Sequence, residues 1–193
     1  DFDQAISMDP KNYDRLIEIY EALAAHGYRE VGQEYLQNVL DTAKQLDAYD
    51  SGRIYYYLGE YQKAYLALDE ARDKGGADSY LYLGRAYAAT GDYNYASSVY
   101  NNYLSKQGPN AEIYNELGLC EMAKKEYQNA LAAFQAGKQI EGNSLMQTLS
   151  FNEIVAYEYL QDYQKAAVLL NAYLQNYPDD QAAIREQQFL STR

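Results

Sequence analysis

The stretch Tyr80–Pro109, YLYLGRAYAATGDYNYASSVYNNYLSKQGP, decides how the rest of the chain is read. Tyr80, Leu83 and Tyr87 recur at helical spacing and so share one face, and Gly84 beside them leaves room for a second helix to approach. Gly91-Asp92 interrupts the pattern. Ala96, Tyr100 and Tyr103 resume it on a second helix, with small Ala96 suited to a close contact near Gly84. The reading is helix, tight turn, helix. A single pair of this kind leaves apolar faces uncovered, which predicts that the unit recurs along the chain.

It does recur. With Gly84 as marker, equivalent positions fall at Tyr20, Gly52, Gly118 and Ile154; with Ala96 as marker, they fall at Gly32, Ala64, Ala130 and Ala166. Both markers give steps of 32, 32, 34 and 36 residues. A turn tyrosine keeps the same ladder at Tyr61, Tyr93, Tyr127 and Tyr163. A recurrence of about 34 residues with this pattern resembles the tetratricopeptide repeat family. The resemblance covers nearly the whole chain and implies an all-α fold: a right-handed superhelical solenoid of about five helix-turn-helix repeats plus a C-terminal capping helix.

The repeats are read as one solenoid over residues 1–193: a tail of an upstream repeat at 1–12, repeats at 13–44, 45–76, 77–110, 111–146 and 147–180, and a capping helix at 181–193. The tail is suggested by Phe2, Ala5 and Pro10, whose spacing matches Leu170, Tyr173 and Pro178, so a longer protein is expected. In the first repeat Tyr20, Arg29 and Gly32 stand where Gly84, Tyr93 and Ala96 stand in the third, and a large residue facing a glycine still packs. Ala24-Ala25-His26-Gly27 reads as a glycine-capped helix end. Apolar spacing from Val31 through Leu46 suggests that the next helix runs long, with the one after it capped at Asp50 or Ser51 and Gly75-Gly76 closing the second repeat. The fifth repeat carries Ser150 and Glu153 where the third has Tyr80 and Leu83, which leaves its register open by a turn. Asp179 or Asp180 is expected to cap the final helix.

Composition narrows the chemistry. Sixteen lysines and arginines against 28 aspartates and glutamates give a net charge of −12, a field that repels nucleic-acid backbones and disfavours them as partners. No apolar run approaches the ~20 residues that span a bilayer. Compartment stays open, cytoplasmic or extracytoplasmic. Tyrosine, with 24 copies and no tryptophan beside it, takes over the large-aromatic positions.

No catalytic constellation emerges. His26 is the single histidine and falls at a turn; Cys120, the single cysteine, shares the phase of Ala22, Ile54, Ala86 and Ala156 and reads as a packing residue. Neither clustered metal ligands nor a phosphate-cradling glycine loop appears, so no enzyme activity, metal or cofactor is expected.

In the family that the pattern resembles, the first helix of each pair lines the concave side where ligands dock. By phase, that face carries Asp14, Ile17, Glu21, Ala24 and Ala25 in the first repeat and Tyr49, Arg53, Tyr56 and Tyr57 in the second. The third contributes Leu81 and Arg85, and the fourth Leu119 and Met122. Arg53 and Arg85 share one phase in an acidic chain, among tyrosines, and arginine with tyrosine is the usual composition of a binding hot spot. The expected ligand is a peptide or protein segment bearing an acidic group. The competing reading has both arginines pairing with local acids such as Asp50, Asp78 or Glu112. The positions used by chaperone-tail clamps hold Ile17, Glu21, Asp50, Asp78 and Tyr82; three of the five are acidic, which argues against that ligand.

Two function classes follow. One is a non-catalytic scaffold that binds a protein or peptide in the groove of first helices. The alternative is an extracytoplasmic bacterial cell-envelope protein, a lipoprotein fragment among the options, that contacts glycan or assembles an envelope complex. Self-association through exposed tyrosines stays open.

Overall fold

The computed structural model describes residues 4, 6 and 8–192. Every regular element among the described residues from Tyr13 onward is a helix. They are α1 (Tyr13–Ala25), α2 (Arg29–Thr42), α3 (Ala48–Tyr57), α4 (Tyr61–Glu70), α5 (Gly76–Ala89), α6 (Tyr93–Gln107), α7 (Ala111–Ala123), α8 (Tyr127–Lys138), α9 (Met146–Tyr159), α10 (Tyr163–Asn176) and α11 (Gln181–Leu190). Five pairs and a final single helix match the repeat count. The upstream-tail reading rests on Phe2 and Ala5, which lie outside the described residues.

Side-chain caps explain many of the starts. Asn12, Asp47, Asp92, Asn110 and Asp162 each accept a hydrogen bond from the backbone N–H three residues on, at 2.8 to 3.0 Å. Asp180 caps α11 through the N–H groups of Ala182 and Ala183. The turn inside each pair is equally regular. Gly27, Gly59 and Gly91 take the left-handed conformation, and Lys125 and Gln161 hold it without being glycine, at φ 64° and 62°. After four of these turns the backbone N–H reaches back five residues, as from Glu60 to Tyr55 and from Asp162 to Tyr157. The turn tyrosines Tyr61, Tyr93, Tyr127 and Tyr163 are the first residues of α4, α6, α8 and α10.

The chain packs as two compact units, Asp1–Thr90 and Gly91–Arg193, with the boundary in the turn of the third repeat. In the first unit α1 packs on α2, α3 on α2 and α4, and α5 on α4 and α3. Its core includes a cluster of Leu16, Tyr20, Leu36, Val39 and Ile54, with Leu68, Tyr80, Leu81 and Leu83 also buried. In the second, each helix from α6 to α11 packs on the next. Its core comprises one cluster around Phe134 and Leu149 and another around Ile154, Leu170 and Tyr173, to which α11 adds Ala183 and Leu190. Those two residues cover the last pair, as a capping helix must.

Close approach within a pair is achieved by a small residue against a large one. A Cβ on Gly32 would come within 2.9 Å of the Tyr20 ring, so the first repeat exchanges small for large across the contact. A Cβ on Gly52 would lie 2.5 Å from Leu68 Cγ, and one on Gly118 would overlap the Phe134 ring. The partner of the glycine is therefore the bulky residue one turn beyond Ala64 or Ala130, not the alanine itself.

Three boundary expectations are corrected. α2 stops at Thr42, and Ala43 is extended; Ala43 and Leu46 keep the apolar spacing because both still pack on the core from outside the helix. The α3 cap is Asp47, whose carboxylate accepts from the Asp50 N–H, so Asp50 lies inside the helix. α4 ends at Glu70, and Gly75-Gly76 begins α5 rather than closing α4. The fifth repeat keeps its register: Leu149 and Ile154 are buried, and Glu153 is buried with its charge paired.

Candidate functional site

Within the first unit, α3 presents Tyr49, Arg53, Tyr56 and Tyr57 on one side at positions i, i+4, i+7 and i+8. Arg53 is 7% exposed and occupied. Its Nη1 donates to Asp14 Oδ1 on α1 at 2.5 Å, its Nη2 to Asp50 Oδ1 at 2.6 Å, and its guanidinium lies 4.3 Å from the Tyr49 ring centre. Burial works against the arginine charge, but the two carboxylates more than offset it, and its pKa moves above the ordinary value. Burial likewise raises the pKa of Asp50, with Arg53 pulling the other way. Tyr49 is pushed up to about 12 by burial, with Arg53 again opposing. Pairing with local acids thus describes Arg53, with Asp50 as one expected partner and Asp14 as one that the phase argument did not supply.

Beside this arginine runs a chain of hydroxyls. Tyr57 Oη donates to Glu21 Oε1 at 2.5 Å and lies 3.0 Å from Tyr82 Oη. Because the single Tyr57 proton is committed to the carboxylate, Tyr82 is the donor in the second bond. Burial and the hydrogen bond donated to Glu21 raise the Tyr57 pKa, and burial raises that of Tyr82, so both stay neutral near pH 7. The relay joins α5 to α3 and α3 to α1, the first helices of three successive repeats.

The rings form one cluster. Tyr57 lies 5.1 Å from Tyr20, 5.4 Å from Tyr56 and 5.9 Å from Tyr82, and Tyr56 also meets Tyr61 and Tyr82. Tyr49, Tyr56, Tyr57 and Tyr82 are all half-buried, while Asp14 and Glu21 are exposed at the edge. Arg85 is half-buried on α5 and acts electrostatically on the Tyr82 phenol. Leu81 is 3% exposed and belongs to the core rather than to an open surface. Four of the expected residues, Tyr49, Arg53, Tyr56 and Tyr57, are therefore brought together, joined by Tyr82, Glu21 and Asp14. Glu21 and Asp14 were legible as members of the same face; Tyr82 was legible only as a clamp position.

In the second unit, Leu119 on α7 is 44% exposed, and Met122 is half-buried against the cluster around Phe134. Asn115, also on α7, accepts from Asn152 of α9 at 2.9 Å. Cys120 is buried, and its thiol is pushed up to about 12 by burial. In the first unit, His26 is exposed, with Nδ1 2.8 Å from the Ala22 carbonyl oxygen. Among the described residues no group of three or more histidine, cysteine or acidic side chains is arranged to hold a metal ion. No helix among them is long and apolar enough to cross a membrane.

Paired helices with left-handed turns and a repeating small-against-large contact define a helical-repeat protein. Sequence profiles described as Tetratricopeptide repeat match residues 49–96 and 83–144, and a second such profile matches 151–180. The chain belongs to the tetratricopeptide repeat family, whose members generally serve as non-catalytic interaction scaffolds. No curated protein sequence matches it. Among solved structures it is similar to a thermophilic repeat protein of Thermus thermophilus, with 16% identity, a TM-score of 0.70, and coverage of 94% of this chain and 100% of that one. It is also similar to YrrB, described as having an unusual peptide-binding site, with 18% identity, a TM-score of 0.63 and coverage of 97% of both chains. A third similarity is to a chain of the APC/C hetero-tetramer Cut9-Hcn1, with 18% identity, a TM-score of 0.68 and coverage of 98% of this chain. The present chain spans 38% of that chain's length.

Proposed function

We propose that the protein is a non-catalytic scaffold that binds a protein or peptide segment along first-helix surfaces, with the tyrosine face of α1, α3 and α5 as one anchor. The observation that carries this reading is the cluster of half-buried Tyr49, Tyr56, Tyr57 and Tyr82 around a neutralised Arg53. Ordered rings supply contact area at little entropic cost, and their fixed hydroxyls supply direction. Arg53 acts as the positioning group for this face, because its fork is committed to Asp14 and Asp50. An acidic group on the ligand would meet Arg85 beside Tyr82. Leu81 supports α5 from beneath, whereas Leu119 and Met122 offer a separate apolar contact on α7.

Selection from a random peptide library tests the reading. Peptides enriched on the wild-type protein should lose at least tenfold in affinity for the Tyr49→Ala/Arg85→Ala variant while its helix content and melting temperature hold. Unchanged affinity for every selected peptide would overturn the assignment of this face. Enrichment of sequences without acidic residues would remove the acidic group and leave the scaffold reading in place.

A further inference from the structure

The second unit contains a cavity of about 540 Å³ near the ends of α9 and α11, lined by Glu158, Tyr159, Gln161, Tyr163, Glu186 and Phe189. Glu158 and Glu186 both line it and act on one another electrostatically, and Glu158 Oε1 is shielded from solvent without a hydrogen-bond partner. No lysine or arginine among the described residues forms an ion pair with either carboxyl. The aromatic part is open: Tyr159 is 56% exposed, Phe189 is 39% exposed, and Tyr159 stacks on Tyr127 of α8 with ring centres 4.9 Å apart. Gln161 holds its left-handed backbone at the rim.

We propose that this cavity binds a cationic side chain, an arginine or lysine of a protein partner, whose charge enters between Glu158 and Glu186 while its stem lies on Tyr159 and Phe189. Two neighbouring carboxyls repel one another once both are ionised, which favours keeping a proton between them, and a guanidinium or ammonium takes that proton's place with a permanent charge. The rings add a face that attracts cations and covers the aliphatic stem. The net charge of −12 draws basic partners to the protein generally, and this cavity gives one such side chain a specific seat. A metal ion is the weaker fit, since two carboxyls and three aromatic rings supply too few oxygen ligands for a hard cation. Burial, with Glu186 adding to it, raises the Glu158 pKa to about 7, and a cation placed between the carboxyls favours their ionised form. Binding therefore releases a proton and strengthens as pH rises from about 6 to about 8. The other titratable groups lining the cavity are Tyr159 from α9 and Tyr163 from α10.

The site is independent of the tyrosine face in the first unit and survives if that reading fails. N-acetyl-arginine amide titrated into the isotope-labelled full chain should give saturable NMR shifts at the amides of residues 158–163 and 181–190. The Glu158→Gln/Glu186→Gln variant, which keeps shape and hydrogen bonding, should lose them. Tyr159→Ala, at an exposed ring, should fold normally and weaken binding at least threefold. The proposal is overturned if no saturable shifts appear at pH 8, if the double glutamine variant binds equally well, or if calcium chloride gives the same shifts at equal concentration.

Discussion

Gly118 of α7 lies so close to Phe134 of α8 that a β-carbon at the glycine would overlap the phenylalanine ring. The ring is fully buried and sits one turn after the small Ala130, so the glycine, not the alanine, sets how near the helices come. Gly118→Ala brings two effects into opposition. Helix propensity favours alanine by about 1 kcal/mol, whereas overpacking a closed contact costs about 1–3 kcal/mol. The contact has no slack, so the variant is expected to lose about 1–2 kcal/mol in urea denaturation. On a Phe134→Leu background the clash is gone and the same substitution should become neutral or stabilising; a melt in which the two changes simply add would contradict the packing described.

Much of this was legible in the sequence because the repeat is enforced by sterics. Gly52 and Gly118, the turn positions Gly27, Gly59 and Gly91, and the tyrosines that open α4, α6, α8 and α10 follow from one ladder. What escaped were features that depend on partners far along the chain. Asp14 is 39 residues from the Arg53 that it binds, and nothing in local spacing signals the pair. Leu81 falls by phase on the expected ligand face, yet it is buried, as are Ile17 and Asn115 on the same face of their helices. Ala43 and Leu46 kept a helical period in an extended segment because burial, not helix, is what the apolar pattern reports. Glu158 and Glu186, on α9 and α11, line one cavity, and in so acidic a chain no spacing rule would single the pair out.

Glu153 stands at the position that holds Leu83 in the third repeat. It is 6% exposed, accepts from Lys138 Nζ at 2.5 Å and from Gln135 Nε2 at 2.9 Å, and both donors come from α8. A buried ion pair contributes little net stability against a well-packed apolar side chain, but removing one partner strands the other. Glu153→Leu should therefore stay within about 1 kcal/mol of wild type, because Lys138 is partly exposed and can turn to solvent. Lys138→Ala should cost about 1–3 kcal/mol. Urea midpoints in the opposite order would show that the pair itself stabilises the α8–α9 contact.

Tyr57 is the centre of the relay from Tyr82 to Glu21. Tyr57→Phe keeps the ring contacts to Tyr20, Tyr56 and Tyr82 and removes only the hydroxyl. Glu21 is exposed and regains water, whereas the half-buried Tyr82 hydroxyl loses its acceptor. The expected cost is about 1 kcal/mol, mostly from Tyr82. In Tyr82→Phe/Tyr57→Phe nothing is left unsatisfied between α3 and α5, so the double variant should be no less stable than the single one. A double variant that loses the sum of both single effects would rule out the bond between the two phenols.

The carboxyl pair at α9 and α11 gives stability a pH dependence whose sign is fixed. Burial raises the Glu158 pKa to about 7, and the charge and hydrogen bond of Glu186 add to the shift. A carboxyl with a raised folded-state value binds its proton more tightly in the folded chain than in the unfolded one. Its stabilising contribution is thus complete below the ordinary glutamate value and is lost as pH rises through about 7. Asp180 acts in the other direction: the Tyr173 hydroxyl and the N–H groups that it caps lower its pKa, so its contribution is lost only in acid, below the ordinary aspartate value, and stays constant near neutrality. Between about pH 5.5 and 8 the melting temperature should fall, and hydrogen exchange in α11 should quicken more than in α7. Glu158→Gln keeps a donor toward Glu186 and cannot ionise, so its melting temperature should be flat across the window and exceed that of wild type at the alkaline end. A wild-type profile that is level or rises across the same window would show that the two carboxyls do not share a proton.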